Sequence, residues 1–381
     1  MFQRRHTGSP AIYAASSALL AMLLAALFPT PAVAAATAPA PRPTVGAVYA
    51  QTNAPGGNAV AVFGRAADGS LSPPTLVPTG GAGTGASLGD QGAVALSADG
   101  RFLFAVNAGS NDVSSFAVGP DGGLTLVDRT PSGGTLPVSV AVYQNLLYVL
   151  NAGGGADNIS GFVVARDGSL RALPGSTRPL SGVGTGAAQV AFSPDGDLLA
   201  VTEKATARID TYVVGRDGRA AGPVVHASSG ATPFGFGFGK RGTLIVSEAP
   251  GFVSSYRALG DGGLEVVTAS APTFQAAPCW VAVTGNGNFA YAANAGSGSI
   301  TGYAVGPDGA LSLLDGDGVS AQTGVGSAPV DLAVSHNSRY LYVLNRGHGS
   351  VGAFAVNADG SLTPLGPTGG LPPGMTGLAA W

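Results

Sequence analysis

Arg346, Gly347 and His348 stand in a glycine-bounded loop within "YLYVLNRGHGSVGAFAVNADGSL", residues 340–362, between two runs of strand type. A guanidinium in such a place can grip a carboxylate or a phosphate, and an imidazole can titrate near neutral pH. Arg346 could equally serve a structural ion pair, and His348 a solvated turn. Two acids stand out for another reason. Asn53, Asn107, Asn151, Asn294 and Asn345 each end a strand-like run, whereas Glu203 and Glu248 occupy the same place in two successive copies. Asparagine suits a turn because its side chain bonds nearby backbone; glutamate does not, so these two mark either a function or a solvated salt bridge.

The elements that must carry these residues repeat along the chain. Asp-Gly pairs begin at Asp68, Asp121, Asp167, Asp217, Asp261, Asp308 and Asp359, each between runs rich in Val, Phe, Tyr and Leu. Asp-Gly supplies the positive φ of a tight reversal, so each pair predicts a hairpin. The seven polar strand ends are spaced by 54, 44, 52, 45, 46 and 51 residues. That spacing suits four-stranded propeller blades. A further strand precedes each polar end, with one column of Val94, Val140, Val190, Phe236, Val281, Leu332 and Leu378. The next column never exceeds alanine: Ala95, Ala141, Ala191, Gly237, Ala282, Ala333 and Ala379. Large-then-small alternation fits the innermost strand, where neighbouring blades converge.

The expectation is an all-β fold, one seven-bladed β-propeller over residues 45–381. The first unit lacks an inner strand, and "MTGLAAW" at the end supplies a seventh copy, so the C-terminal strand should complete the N-terminal blade and hide the sheet edges. Residues 1–36 read as a signal peptide, with Arg4, Arg5 and His6 before an apolar run and a small-residue flank, and 37–44 as a linker. An exported protein, periplasmic or extracellular, follows. Beyond residue 34 there are 16 Lys and Arg against 21 Asp and Glu. Such a balance offers no footprint for nucleic acid or an anionic membrane. Cys279, alone in the chain, can form no internal disulfide. A monomer with a small-molecule ligand is expected.

Three Gly-rich loops, 79–90, 179–188 and 316–329, hold the extra length of the longer units, and loops on a rigid scaffold are where binding resides. Beside them, at the starts of inner strands, Gln189, Trp280 and Asp331 are candidate ligand contacts, with Asn294 and Asn345 at neighbouring strand ends. Trp280 could stack on a ligand or simply pack. "GASLG" at 85–89 lacks the strand and helix of a nucleophile elbow, and "GFGKRG" at 237–242 has no following helix to receive a phosphate. His226, His336 and His348 lie in separate units, and "DGDG" at 315–318 lacks most ligands of a calcium loop, so no cofactor is implied. A divalent metal held by backbone carbonyls and asparagines stays open.

The 340–362 run resembles the signature of the seven-bladed β-propeller lactonases, the family of 6-phosphogluconolactonases and carboxymuconate cyclases. "SPDGDLLAVTEKATARIDTYVV" (193–214) and "LIVSEAPGFVSSYRA" (244–258) are similar to its glutamate-bearing blades, and the blade repeat also resembles YVTN-type propellers. The resemblance implies hydrolysis of a sugar lactone or related cyclic ester, with Glu203 or Glu248 as base and Arg346 and His348 holding the oxyanion or an anionic group. This chain departs from the family where Ala188 and Gln189 replace an Arg-His pair and where Gly349 replaces an aspartate. The competing expectation is a non-catalytic propeller that binds a ligand or partner at the loop-rich mouth. An electron-transfer propeller is disfavoured by the lack of a C-x-x-C-H motif.

Overall fold

A computed structural model of the protein describes residues 43–381; the expected signal peptide and most of the linker lie outside them. Seven antiparallel sheets follow one another, and there is no α-helix among the described residues, only a 3-10 turn at Arg346–His348. Each sheet is a blade, with its first strand innermost in six of them and the C-terminal strand innermost in blade one. Blades three and six each carry a short fifth segment, at Arg178–Pro179 and Ala321–Gln322. Blade one is completed by the C-terminal strand Thr376–Ala380, which pairs with Thr44–Gln51 as the terminal repeats predict. Among the described residues, no helix is long and apolar enough to cross a membrane.

The alternation read from the sequence sets which side each residue takes. Val94, Val140, Val190, Phe236, Val281, Leu332 and Leu378 are all buried, at 5% exposure or less, between neighbouring blades. The following column is small because it faces the crowded centre; a Cβ at Gly237 would lie 2.8 Å from Val283 of the next inner strand. The Asp-Gly pairs form the outer reversals as expected, with Gly69, Gly122, Gly168, Gly218, Gly262, Gly309 and Gly360 all at φ between 78° and 92°. An L side chain is strained at that φ.

Those turns also tie blade to blade. The hydroxyls of Tyr49, Tyr148, Tyr291 and Tyr342, all on second strands, donate to the turn carbonyls of Gly122, Gly218, Gly360 and Gly69 in the adjacent blade, at 2.7–3.0 Å. Tyr342 thereby joins blade seven to blade one, across the closure of the ring. Tyr342→Phe removes that donor and keeps the packing. We expect it to lower stability by about 1 kcal/mol, a fall of roughly 2 °C in thermal unfolding; an unchanged midpoint would mean that this bond contributes nothing to closure.

Candidate functional site

Strand pairing sets the polar row at the loop-bearing face. Thr52, not Asn53, is the blade-one member, because Ala50 faces Leu378 as Ala105 faces Val94, which puts Thr52 level with Asn107. Asn53 lies one residue beyond, at φ 50°, where its side chain secures Thr84 and Ala86 of the first long loop. A one-residue slip is invisible to spacing when both candidates are polar.

The side chains of this row bond inside their own blades and to the outer loops. Asn107 Nδ2 donates to Asp112 and Ser114, and Asn294 Nδ2 to Ser299 and Thr301. Asn345 is buried likewise, with its Oδ1 unpartnered. Glu248 is fully buried and accepts hydrogen bonds from the Gly230 amide and from Ser228, Ser254 and Ser270. Glu203, also fully buried, accepts from the Ser181 amide and hydroxyl and from Thr206. Neither glutamate meets Arg346.

Blade four carries a second acid where blades two and six have a hydroxyl. Asp210 lies seven residues after Glu203, as Ser114 does after Asn107 and Thr301 after Asn294. Burial first, and the adjacent Glu203 second, push the Asp210 carboxyl up to about 8. Two carboxyls in one enclosed site retain a proton at neutral pH.

At the inner strands, side chains stitch neighbouring blades together. Gln189 Oε1 accepts from the Phe236 amide at 2.7 Å, and its Nε2 donates to the Phe236 carbonyl at 3.0 Å. Ser139 accepts from the Val190 amide and Asp331 from the Leu378 amide in the same way. Asp331 is buried at φ 103°, with its carboxyl pushed far above the usual range by burial and then by Asp90. Trp280 packs on Phe234 with ring centroids 5.0 Å apart and donates Nε1–H to the Asp90 carbonyl at 2.6 Å. Of the two readings open for Trp280, packing is the one observed. The candidate contacts Gln189, Trp280, Asp331, Asn294 and Asn345 are thus all buried, and the first four bond within the scaffold.

The first long loop closes the mouth. Residues 88–92 cross the channel, and Gln91 makes the paired bond to Val281 that Gln189 makes to Phe236, at 2.7 and 3.0 Å. It does so where blade five has Gly235, whose absent Cβ would lie 1.9 Å from Gln91 Oε1. A glycine in one strand and a glutamine far away in a loop therefore complete one stitch. Sequence spacing carries no sign of such a pairing.

Around this plug stand the polar groups nearest to solvent. Arg346 donates to the Ser87 hydroxyl at 2.7 Å, and His348 Nε2 lies 3.1 Å from the Val325 carbonyl. Lys204, missed from sequence, reaches the Gly89 and Ala187 carbonyls and lies 4.8 Å from the centre of the Phe234 ring. Asp90 lies beneath, 2% exposed, its carboxyl raised to about 7 by burial against the opposing pull of Thr376, Lys204 and Arg346. The arrangement offers cations for an anionic group and one carboxyl that changes charge near neutrality. Among the described residues, no three His, Cys, Asp or Glu side chains gather to hold a metal.

The Asp210 carboxyl predicts a sign for stability against pH. Its folded value lies above the ordinary 3.8, so the folded state holds a proton that the unfolded chain releases; the contribution falls as pH rises from about 4 to about 8. Asp210→Asn should flatten that decline and raise the unfolding midpoint at pH 8 and above, relative to the wild type. Parallel profiles for the two proteins would show that the pair is not sharing a proton.

Comparison with known proteins follows the architecture. Residues 57–178 match the sequence model of the family described as Lactonase, 7-bladed beta-propeller. Comparison with curated proteins returned no match. Among solved structures, a candidate 6-phosphogluconolactonase from Bacteroides fragilis aligns with TM-score 0.68 at 21% identity, over 88% of this chain and 98% of its own. The periplasmic gluconolactonase of Pseudomonas aeruginosa aligns with TM-score 0.67 at 19% identity, over 88% and 98%. A Lactobacillus plantarum protein aligns with TM-score 0.68 at 17% identity, over 89% and 99%. Identities this low establish the shared fold. The family resemblance in the sequence is borne out: residues 57–178 match the model of the lactonase family, and the chain folds as seven blades throughout its described length.

Proposed function

We propose that this chain is a lactonase-family propeller that hydrolyses a lactone, a sugar lactone or related cyclic ester bearing a carboxylate or phosphate, at the loop-bearing mouth of its channel. The observation that carries the reading is a pair of cations whose hydrogen bonds there go to neutral oxygens, Arg346 to Ser87 and Lys204 to the Gly89 and Ala187 carbonyls. An anion competes well for such donors because a charge-assisted bond is stronger than one to a hydroxyl. His348 stands in the same turn as Arg346 and can add a second contact. Glu203 and Glu248 hold the loops on this reading, and the base comes from the mouth itself.

A non-catalytic reading is favoured by a different observation, the plug. Residues 88–92 occupy the channel entrance, and the two glutamates are committed to their blades. A binding propeller needs neither an open channel nor a free base.

Hydrolysis of a panel of lactones, with and without a carboxylate or phosphate, by wild type and Arg346→Ala separates the two. Lactonase activity predicts turnover of the anionic members and a KM raised about tenfold in the variant, the loss of one charge-assisted contact. No turnover of any lactone would leave the binding reading.

Export is part of the proposal, carried by the sequence of residues 1–36 and in keeping with the periplasmic location printed for the Pseudomonas aeruginosa neighbour. N-terminal sequencing of the protein recovered outside the cytoplasm should begin near residue 35 or 37. Recovery only in the cytoplasm with Met1 intact would contradict it.

A further inference from the structure

Beneath the plug, three polar atoms have no hydrogen-bond partner: Oδ2 of Asp90 and both Oε1 and Nε2 of Gln51. Gln51 is fully buried and Asp90 nearly so. The strand register places them together. Gln51 pairs with Thr376 across blade one, at a break in the register that brings the two residues alongside each other. Thr376 Oγ1 donates to Oδ1 of the same Asp90 carboxylate at 2.8 Å. From the position equivalent to Gln51 in blade four, Thr202 reaches the start of the next inner strand, at the Phe234 carbonyl. Gln51 is therefore aimed at the corresponding segment of blade two, which the Asp90 loop enters.

Two orphaned acceptors and one orphaned donor are what a single water satisfies, giving two hydrogen bonds and accepting one. A transition metal would find no nitrogen or sulfur ligand here and would leave the Gln51 N–H unmet. We infer that Asp90 and Gln51 hold a water between them, and that Asp90 is the general base that activates it for attack on a lactone carbonyl. This rests on the lactonase reading and names the base that reading lacks.

The step balances without any further reactant. The water oxygen bonds to the carbonyl carbon as its proton passes to Asp90; the ring C–O bond then breaks, and the departing alkoxide takes that proton back, leaving a hydroxy acid. The charges facing Asp90 suit the role. Burial raises its proton affinity, Thr376, Lys204 and Arg346 oppose it, and burial prevails to give a value of about 7, while the Asp90 charge in turn raises Asp331. The same two cations govern access. Arg346 holds Ser87 and Lys204 holds Gly89, both in the covering loop, so an anionic substrate that takes these donors frees the segment over Asp90.

The test is the pH–rate profile of the full mature protein on a lactone it turns over, beside Asp90→Asn and Gln51→Leu, with thermal unfolding as a check on folding. Asp90→Asn should fall at least about 100-fold in kcat and lose the rise in rate near pH 7 that the wild type shows. Gln51→Leu should keep that rise with a lower plateau. Wild-type turnover that survives in a folded Asp90→Asn overturns this inference and leaves the lactonase reading standing. A wild type that hydrolyses no lactone overturns both. Should Asp90→Asn fail to fold, Gln51→Leu decides alone, since unchanged kcat there removes the water from the mechanism.

Discussion

The ring depends on a polar stitch at its narrowest point. Where inner strands converge they are too close for large side chains and too short to form a continuous sheet, so their facing amides and carbonyls need partners from elsewhere. Gln189, Ser139, Asp331 and the loop-borne Gln91 supply them, each bonding the next inner strand. Seven separate sheets thereby become one closed body without a disulfide, with the C-terminal strand as the last join.

That requirement explains why the candidate ligand contacts at the inner strands turned out to be structural. A mildly polar row beside long loops is what a binding site and a stitching row both present in sequence. Burial decides between them, because an amide removed from water must be satisfied within the protein. Gln189 commits both its groups to Phe236. The same logic leaves Gln51 conspicuous, since its amide is buried and unmatched.

Much of the fold was legible because its signals are local or repeated. Asp-Gly turns fix reversals through φ, the small column marks the crowded centre, and the matching terminal units foretell closure. The site was less legible because it depends on residues brought together from distant blades. Asp90, Gln51 and Lys204 carry no motif, and the plug is recognisable only when Gly235 and Gln91 are seen to occupy one place. Asn53 and Thr52 differ by one position that only strand pairing resolves. Glu203 and Glu248 did break the asparagine pattern for a reason, which is that each anchors a loop through several hydrogen bonds.

The claim on which the rest turns is that residues 88–92 are part of the ring rather than a loose loop above it. Amide hydrogen exchange tests this directly. The account predicts that Gln91, whose amide donates to the Ala188 carbonyl, is protected to nearly the level of the inner strands while the amide of exposed Ser87 exchanges quickly. Exchange of Gln91 at the rate of Ser87 would contradict it, and would make the channel mouth open in solution.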